Sequence, residues 1–300
     1  MRKTAQTFLT AVLLILVLPY MITNFFSGKE RDSYVVQTAT EDFISIRQGE
    51  AIQEVSFEDY VMGVAATQID GNTQPEALKA QMVLARTELK KQLEDNPGEL
   101  LSEPYITLEE LEERGTAQAM MQAAEATMGQ VLTYEGGLIH APFHAVSSGT
   151  TRSGEEAFGK GKYEWLSSVA SHQDVEAERY LDVQFLRPSQ VRNAISQAGP
   201  DILAEGDLAD QIEVIKRDSG DYVEQVRVGN TQMSGEKFRS LLNLNSSCFY
   251  IEEDQKGIRI TTKGLGHGLG MSQYGAESLA ESGKTYVQIL QYYFPKCIIV

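Results

Sequence analysis

The segment Gly264-Leu-Gly-His-Gly-Leu-Gly-Met-Ser-Gln-Tyr-Gly-Ala276 holds the densest set of groups able to do chemistry in this sequence. Glycines at 264, 266, 268 and 270 permit positive φ and close backbone approach, leaving His267 in an open loop. Ser272, Gln273 and Tyr274 then start a helix whose free N–H groups face the same space. With no Lys or Arg inside the loop, this mix suits a neutral, hydrogen-bonding ligand better than a phosphate.

A second segment, VMGVAATQIDG from Val61 to Gly71, is small and apolar until Gln68. A helix built for burial there ends on an uncharged amide, with Asp70 two residues on. His140 and His144 lie four residues apart, and strand alternation puts them on one face. Zinc needs three or four ligands, and no third Cys or His is near, so the pair reads as polar cleft residues and no metal is expected. Ser147 and Ser148 precede Gly149, but no G-x-S-x-G elbow marks a serine nucleophile. Glu76 follows Thr73-Gln-Pro and reads as the acidic member of a capping box.

The elements that must position these groups alternate without a strict βαβ rhythm. FISIRQ reads as a strand, Val55 to Ala66 as a helix behind Ser56, and Glu76 to Leu93 as an Ala-rich helix with one packing face. Thr107 to Met128 reads as a helix pair broken at Gly115, followed by a hairpin GQVLTYE-GG-LIHAPFHAV. Beyond the helix-leaning LRPSQVRNAISQA come hairpins QIEVIKRD–YVEQVRVGN and CFYIEED–IRITTKG, the latter turning at Gln255-Lys-Gly, with a short helix Gly235 to Leu242 between them. The helix TYVQILQYYF and the strand CIIV close the chain. Such runs indicate an α+β class, and the length fits one elongated domain or two lobes, the expectation being a two-lobed ectodomain with a cleft.

Ahead of this region, Met1-Arg-Lys precedes an apolar run of about 19 residues, Phe8 to Phe26, close to the roughly 20 that span a bilayer. No small-x-small cleavage site follows, so residues 1–27 are expected to form an uncleaved signal anchor, 28–42 a polar linker and 43–300 the ectodomain. Arg2 and Lys3 place the short tail in the cytoplasm, giving a single-pass cell-membrane protein with its C-terminal domain outside. A net charge of −16 repels polyanions and excludes nucleic acid as a partner. Cys248 and Cys297 have no Cys-x-x-Cys context, and with no phosphate or dinucleotide loop no cofactor is expected.

VMGVAATQI, QPEALKAQMVLART, FHAVSSGTT, EWLSSV, MSGEKFRSLLNLNSSCF, GLGHGLGMSQYGA and ILQYYF, in this order, resemble the stage II sporulation protein D family, which includes amidase enhancers. The resemblance covers about residues 43–300, more weakly over 91–125 and 174–210. It implies peptidoglycan glycan strands as substrate, stripped of stem peptides by a septal amidase, with membrane sporulation proteins as further partners during engulfment. Active relatives resemble lytic transglycosylases. One glutamic acid protonates the glycosidic oxygen, then takes the proton of the sugar's own C6 hydroxyl as a 1,6-anhydro ring closes.

That glutamate follows Gly-Val-(Val/Ala)-Ala-small, which is position 68, where this chain carries Gln68. The resemblance further implies that His144, Ser147, Ser148, His267, Ser272, Gln273 and Tyr274 contact the strand. Since an amide neither gives nor takes a proton near neutral pH, the expected function is a catalytically impaired, glycan-binding protein. Two alternatives are a lytic transglycosylase using another acid such as Asp70, and a structural bridge between membrane and septal partners.

Overall fold

In a computed structural model the described residues are 43–300, except Pro200, Asp201, Glu205, Gln255 and Lys256. The expected anchor, linker and Gln255-Lys-Gly turn fall wholly or partly outside them. Among the described residues no helix is long and apolar enough to cross a membrane.

The chain begins with the antiparallel pair β1 (Phe43–Gln48) and β2 (Ala51–Ser56), which feeds α1 (Phe57–Gln68). Ser56 occupies the N-cap without a side-chain bond, and the chain leaves the helix at extended Ile69. Next comes α2 (Pro75–Asp95), with Gln74 as N-cap and Pro75 in the first turn. The expected capping box is absent. Glu76 instead accepts a bond from the Tyr286 N–H at 2.7 Å, so a residue 210 positions away claims the carboxylate. The pair α3 (Leu108–Arg114) and α4 (Ala117–Ala126) is interrupted at left-handed Gly115, and Thr107 and Glu110 form a full capping box.

Helix α2 is buried on two faces rather than one. Leu78, Met82, Ala85 and Leu89 join a cluster with Tyr60, Val64, Leu111 and Met120. Ala77, Ala80, Val83 and Leu84 join another with Leu132, Met271, Ile289 and Tyr293. Small residues on the second face let neighbouring backbones come close. A third cluster lies around Val226, Phe238 and Phe249.

The expected hairpin is shorter than its sequence pattern. β3 (Leu132–Tyr134) pairs with β4 (Gly137–Leu138), and the chain then leaves the ladder. β5 (Phe143–His144) pairs elsewhere, so His140 and His144 do not share a strand face. α5 (Gly154–Phe158) follows, then β6 (Leu181–Leu186) and α6 (Pro188–Ile195). β7 (Ile212–Arg217), β8 (Val223–Val228) and β9 (Thr231–Ser234) form one antiparallel sheet. α7 (Gly235–Leu242) is capped by Ser234. β10 (Phe249–Asp254) and β11 (Gly257–Lys263) form the second expected hairpin, with β6 added at its edge. β12 (Met271–Ser272), α8 (Gln273–Glu281), α9 (Tyr286–Tyr293) and β13 (Ile298–Ile299) end the chain, β13 pairing with β3.

This is a mixed α+β architecture with several small sheets. The described residues belong to one compact unit. Within it α2 contributes side chains to two of the three clusters and so joins those two.

Candidate functional site

Two distant segments are zipped together to make the site. β5 lies parallel to β12, pairing Phe143 with Met271 and His144 with Ser272. Val146 and Leu265 exchange both backbone bonds, and the Arg152 N–H donates to the Gly268 carbonyl at 2.7 Å. The glycine loop needs its glycines for this: Gly268 has φ +78°, and a Cβ there would lie 2.4 Å from the Tyr222 ring.

Gln68 stands at the end of α1, half-buried, where α2 and α8 meet it. Its Oε1 accepts a bond from Gln81 Nε2 at 2.8 Å. Gln273 Nε2 donates to the Gln68 backbone carbonyl at 2.7 Å and to Gln81 Oε1 at 3.2 Å. Three amides on three helices thus lock one another, with Gln81 fully buried at the centre. Nε2 of Gln68 has no protein partner among the described residues, and the side chain lines two cavities.

One cavity, of about 430 Å³, includes Asp70, Asn72, Arg114 and Thr116. The other, of about 410 Å³, includes Glu88, His140, Phe158, Tyr163 and His267. Phe158, His267 and Leu269 also line a third, of about 870 Å³, with Arg152, Gln225 and Gln232. Gln68 lines the first two, and Phe158, His267 and Leu269 line the second and third, so neighbouring cavities have lining residues in common. A groove of adjoining cavities, lined by apolar and by many hydrogen-bonding side chains, suits an extended polar ligand.

The expected site residues divide between this groove and its backing. Gln68, Asp70 and His267 line it. Asp70 is exposed and commits Oδ1 to the Asn72 N–H and side-chain amide, both at 2.9 Å, so it does not turn back over Gln68. His267 is half-buried, not open to solvent as expected, and its Nδ1 accepts from the Leu269 N–H at 3.1 Å. Burial lowers its pKa and favours the neutral ring.

His144, Ser147, Ser148, Ser272, Gln273 and Tyr274 line none of these three cavities. His144 Nδ1 donates to the Leu269 carbonyl at 3.0 Å, and its ring centroid is 5.8 Å from that of His267. Burial, and then His267, push its pKa down to about 3. Its Nε2 is buried without a hydrogen-bond partner among the described residues. The Ser147 N–H donates to buried Asp174 at 2.7 Å, and Ser148 Oγ donates to the Gly220 carbonyl at 2.7 Å. Ser272 caps α8 through the Gly275 N–H, while the Tyr274 N–H donates to the Ala145 carbonyl. The helix start expected to offer free donors is therefore satisfied internally.

Residues the sequence reading missed line the groove or stand behind it. Gln81, a polar residue within the Ala-rich helix, is fully buried behind Gln68. Glu88 accepts from the Ala141 N–H at 3.0 Å and faces His140 Nδ1 at 3.0 Å, while His140 Nε2 lies 3.3 Å from Asp95. His140 therefore sits between carboxylates, apart from His144. Among the described residues no cluster of three or more His, Cys, Asp or Glu could hold a metal ion. Cys248 and Cys297 are free and buried, and burial pushes both thiols up to about 12.

Arg86, fully buried on α2, forms a two-pronged pair with Glu58 of α1 at 2.9 and 2.6 Å and donates to the Gln130 carbonyl. Next to it, Thr87 Oγ1 accepts from the Leu132 N–H at 2.9 Å. This Arg-Thr dipeptide ties α2 to α1 and β3, holding the helix that carries Gln81.

The stage II sporulation protein family profile matches residues 46–134, which carry Gln68, Gln81 and Glu88. Stage II sporulation protein D of Bacillus amyloliquefaciens is 32% identical over 263 residues, covering 81% of this chain and 74% of that protein. The Bacillus subtilis protein of the same name is 29% identical over 262 residues, covering 82% and 74%. The amidase enhancer of Bacillus subtilis is 25% identical over 283 residues, covering 78% of this chain and 39% of that protein. Identity of this extent, over 81% of the chain and 74% of the relative, places the chain in the stage II sporulation protein D family.

Proposed function

We propose that this protein binds peptide-free glycan strands of the wall during septal remodelling and engulfment, without efficient turnover. The observation that carries the reading is Gln68 itself. An amide lines two adjoining cavities, its oxygen held by Gln81 and its Nε2 left for a ligand. It can hydrogen-bond a sugar but cannot protonate a glycosidic oxygen. Losing a positioned general acid or base lowers a rate by about 10²–10⁴, and here one group would serve both proton transfers.

Cavities with lining residues in common on either side of Gln68 and Phe158 support the reading of a linear ligand, and the amidase-enhancer relative supports a role beside a wall amidase. Residues 1–27 would hold the domain at the outer face of the membrane, which protease accessibility on intact cells would test. For the central reading, the purified domain is incubated with denuded glycan, and co-sedimentation and 1,6-anhydro ends are measured. Binding with few anhydro ends is expected; efficient release of anhydro products overturns it.

A second reading retains turnover through Asp70, which lines a cavity with Gln68. It requires Oδ1 to leave Asn72. Full activity in Asp70→Ala would eliminate it.

A further inference from the structure

Phe158 is 45% exposed, yet it sits on the wall shared by the two cavities of about 410 and 870 Å³. Its ring lies 4.6 Å from that of Tyr163, which in turn lies 5.2 Å from Trp165. Trp165, the single tryptophan of the chain, is fixed by its Nε1–H donating to the His140 carbonyl at 2.9 Å. Three aromatic rings therefore follow one another, and the first two line the same cavity as Gln68.

The backbone at Tyr163 shows that this placement is imposed. Tyr163 has φ +51°, an uncommon conformation for a bulky side chain and one that persists only where its surroundings over-determine it. Here the brace is visible. The Tyr163 carbonyl accepts from the Leu166 N–H at 2.9 Å, and Leu166 in turn accepts from the Gly154 N–H at 2.9 Å. A Cβ at Gly154 would lie 2.3 Å from the Tyr163 carbonyl oxygen, so α5 must begin with glycine for the turn to fit.

We propose that Phe158 and Tyr163 form a stacking platform for the sugar rings of the strand that passes Gln68. This rests on the glycan-binding reading and adds the residues that seat the polymer. A pyranose ring shows an apolar C–H face and a rim of hydroxyls and amides. It fits a cavity whose lining combines aromatic rings with hydrogen-bonding side chains such as Gln68 and His140. The neighbouring cavity continues that pattern, with the paired amides of Gln225 and Gln232 beyond Phe158.

The test uses denuded glycan strands as the probe, with binding read by co-sedimentation and by Trp165 emission. Wild-type protein is expected to bind saturably with a change in emission, because the platform adjoins Trp165. Phe158→Ala removes an exposed ring, and Tyr163→Asn removes the second while keeping a residue that tolerates positive φ. Each is expected to weaken binding about tenfold, Phe158→Ala with unchanged thermal melting. Wild-type binding that both variants reproduce overturns the platform and leaves the glycan reading standing. Absence of wild-type binding overturns both.

Discussion

Gln81 Nε2 donates to Gln68 Oε1 at 2.8 Å, fixing which end of the Gln68 amide is turned inward. The same donor would serve a carboxylate oxygen equally well. Gln68→Glu should therefore fit its surroundings, with one oxygen bonded to Gln81 and the other facing the groove. Its release of anhydro ends from denuded glycan is expected to rise by about 10²–10⁴ over the natural protein. Mass spectrometry of the released ends checks this, and no gain would mean that the groove lacks more than its acid.

Gln81→Met keeps the approximate volume but removes both hydrogen-bonding ends. Gln68 and Gln273 then lose partners, and stability should fall by about 1–2 kcal/mol in urea unfolding. In the Gln68→Glu background the loss of a donor to the ionised carboxylate raises its pKa. The alkaline side of the activity profile should move to higher pH, a shift that a general loss of packing would not produce.

His144 gives a pH signature. Its folded pKa of about 3 lies below the 6.5 of an ordinary histidine, so the unfolded chain takes up the proton first. The stability from keeping this ring neutral is complete above about pH 6.5 and is lost as pH falls toward 3. One such proton contributes a slope approaching about 1.4 kcal/mol per pH unit. Urea midpoints measured from pH 7 to 4 should fall more steeply for the natural protein than for His144→Gln.

Glu58→Ala leaves the guanidinium of fully buried Arg86 with the Gln130 carbonyl as its remaining partner. Breaking a buried pair from one side costs about 3 kcal/mol, which calorimetric melting would register as a large drop in Tm. Replacing Lys91, whose partners Glu94 and Asp95 are more exposed, should change stability by less than about 1 kcal/mol.

Local signals carried much of the fold. Ser234 before Gly235–Leu242, the Thr107–Glu110 box and the alternation in the two later hairpins all depend on residues within a turn or two of one another. What the sequence reading missed depends on distant partners. Glu76 has the spacing of a capping box, but Tyr286 outcompetes the local N–H for it. LIHAPFHAV has the alternation of one strand, but Phe143 and His144 find Met271 and Ser272 after the first hairpin has ended. The candidate site divides in the same way. Gln68 and His267 stood out by type and setting, whereas Gln81 and Tyr163 gain meaning only from what packs beside them.

The zipping of residues 143–152 to 264–272 also has a consequence in time. Each groove wall needs a partner more than a hundred residues away, and β13 must still return to β3. Such long closures form late, after the local helices and hairpins. A chain emerging from the ribosome holds no finished site until its final segments arrive. On the proposed glycan-binding role, incomplete copies would not bind, and two fragments cut between the zipped segments would recover binding only when mixed.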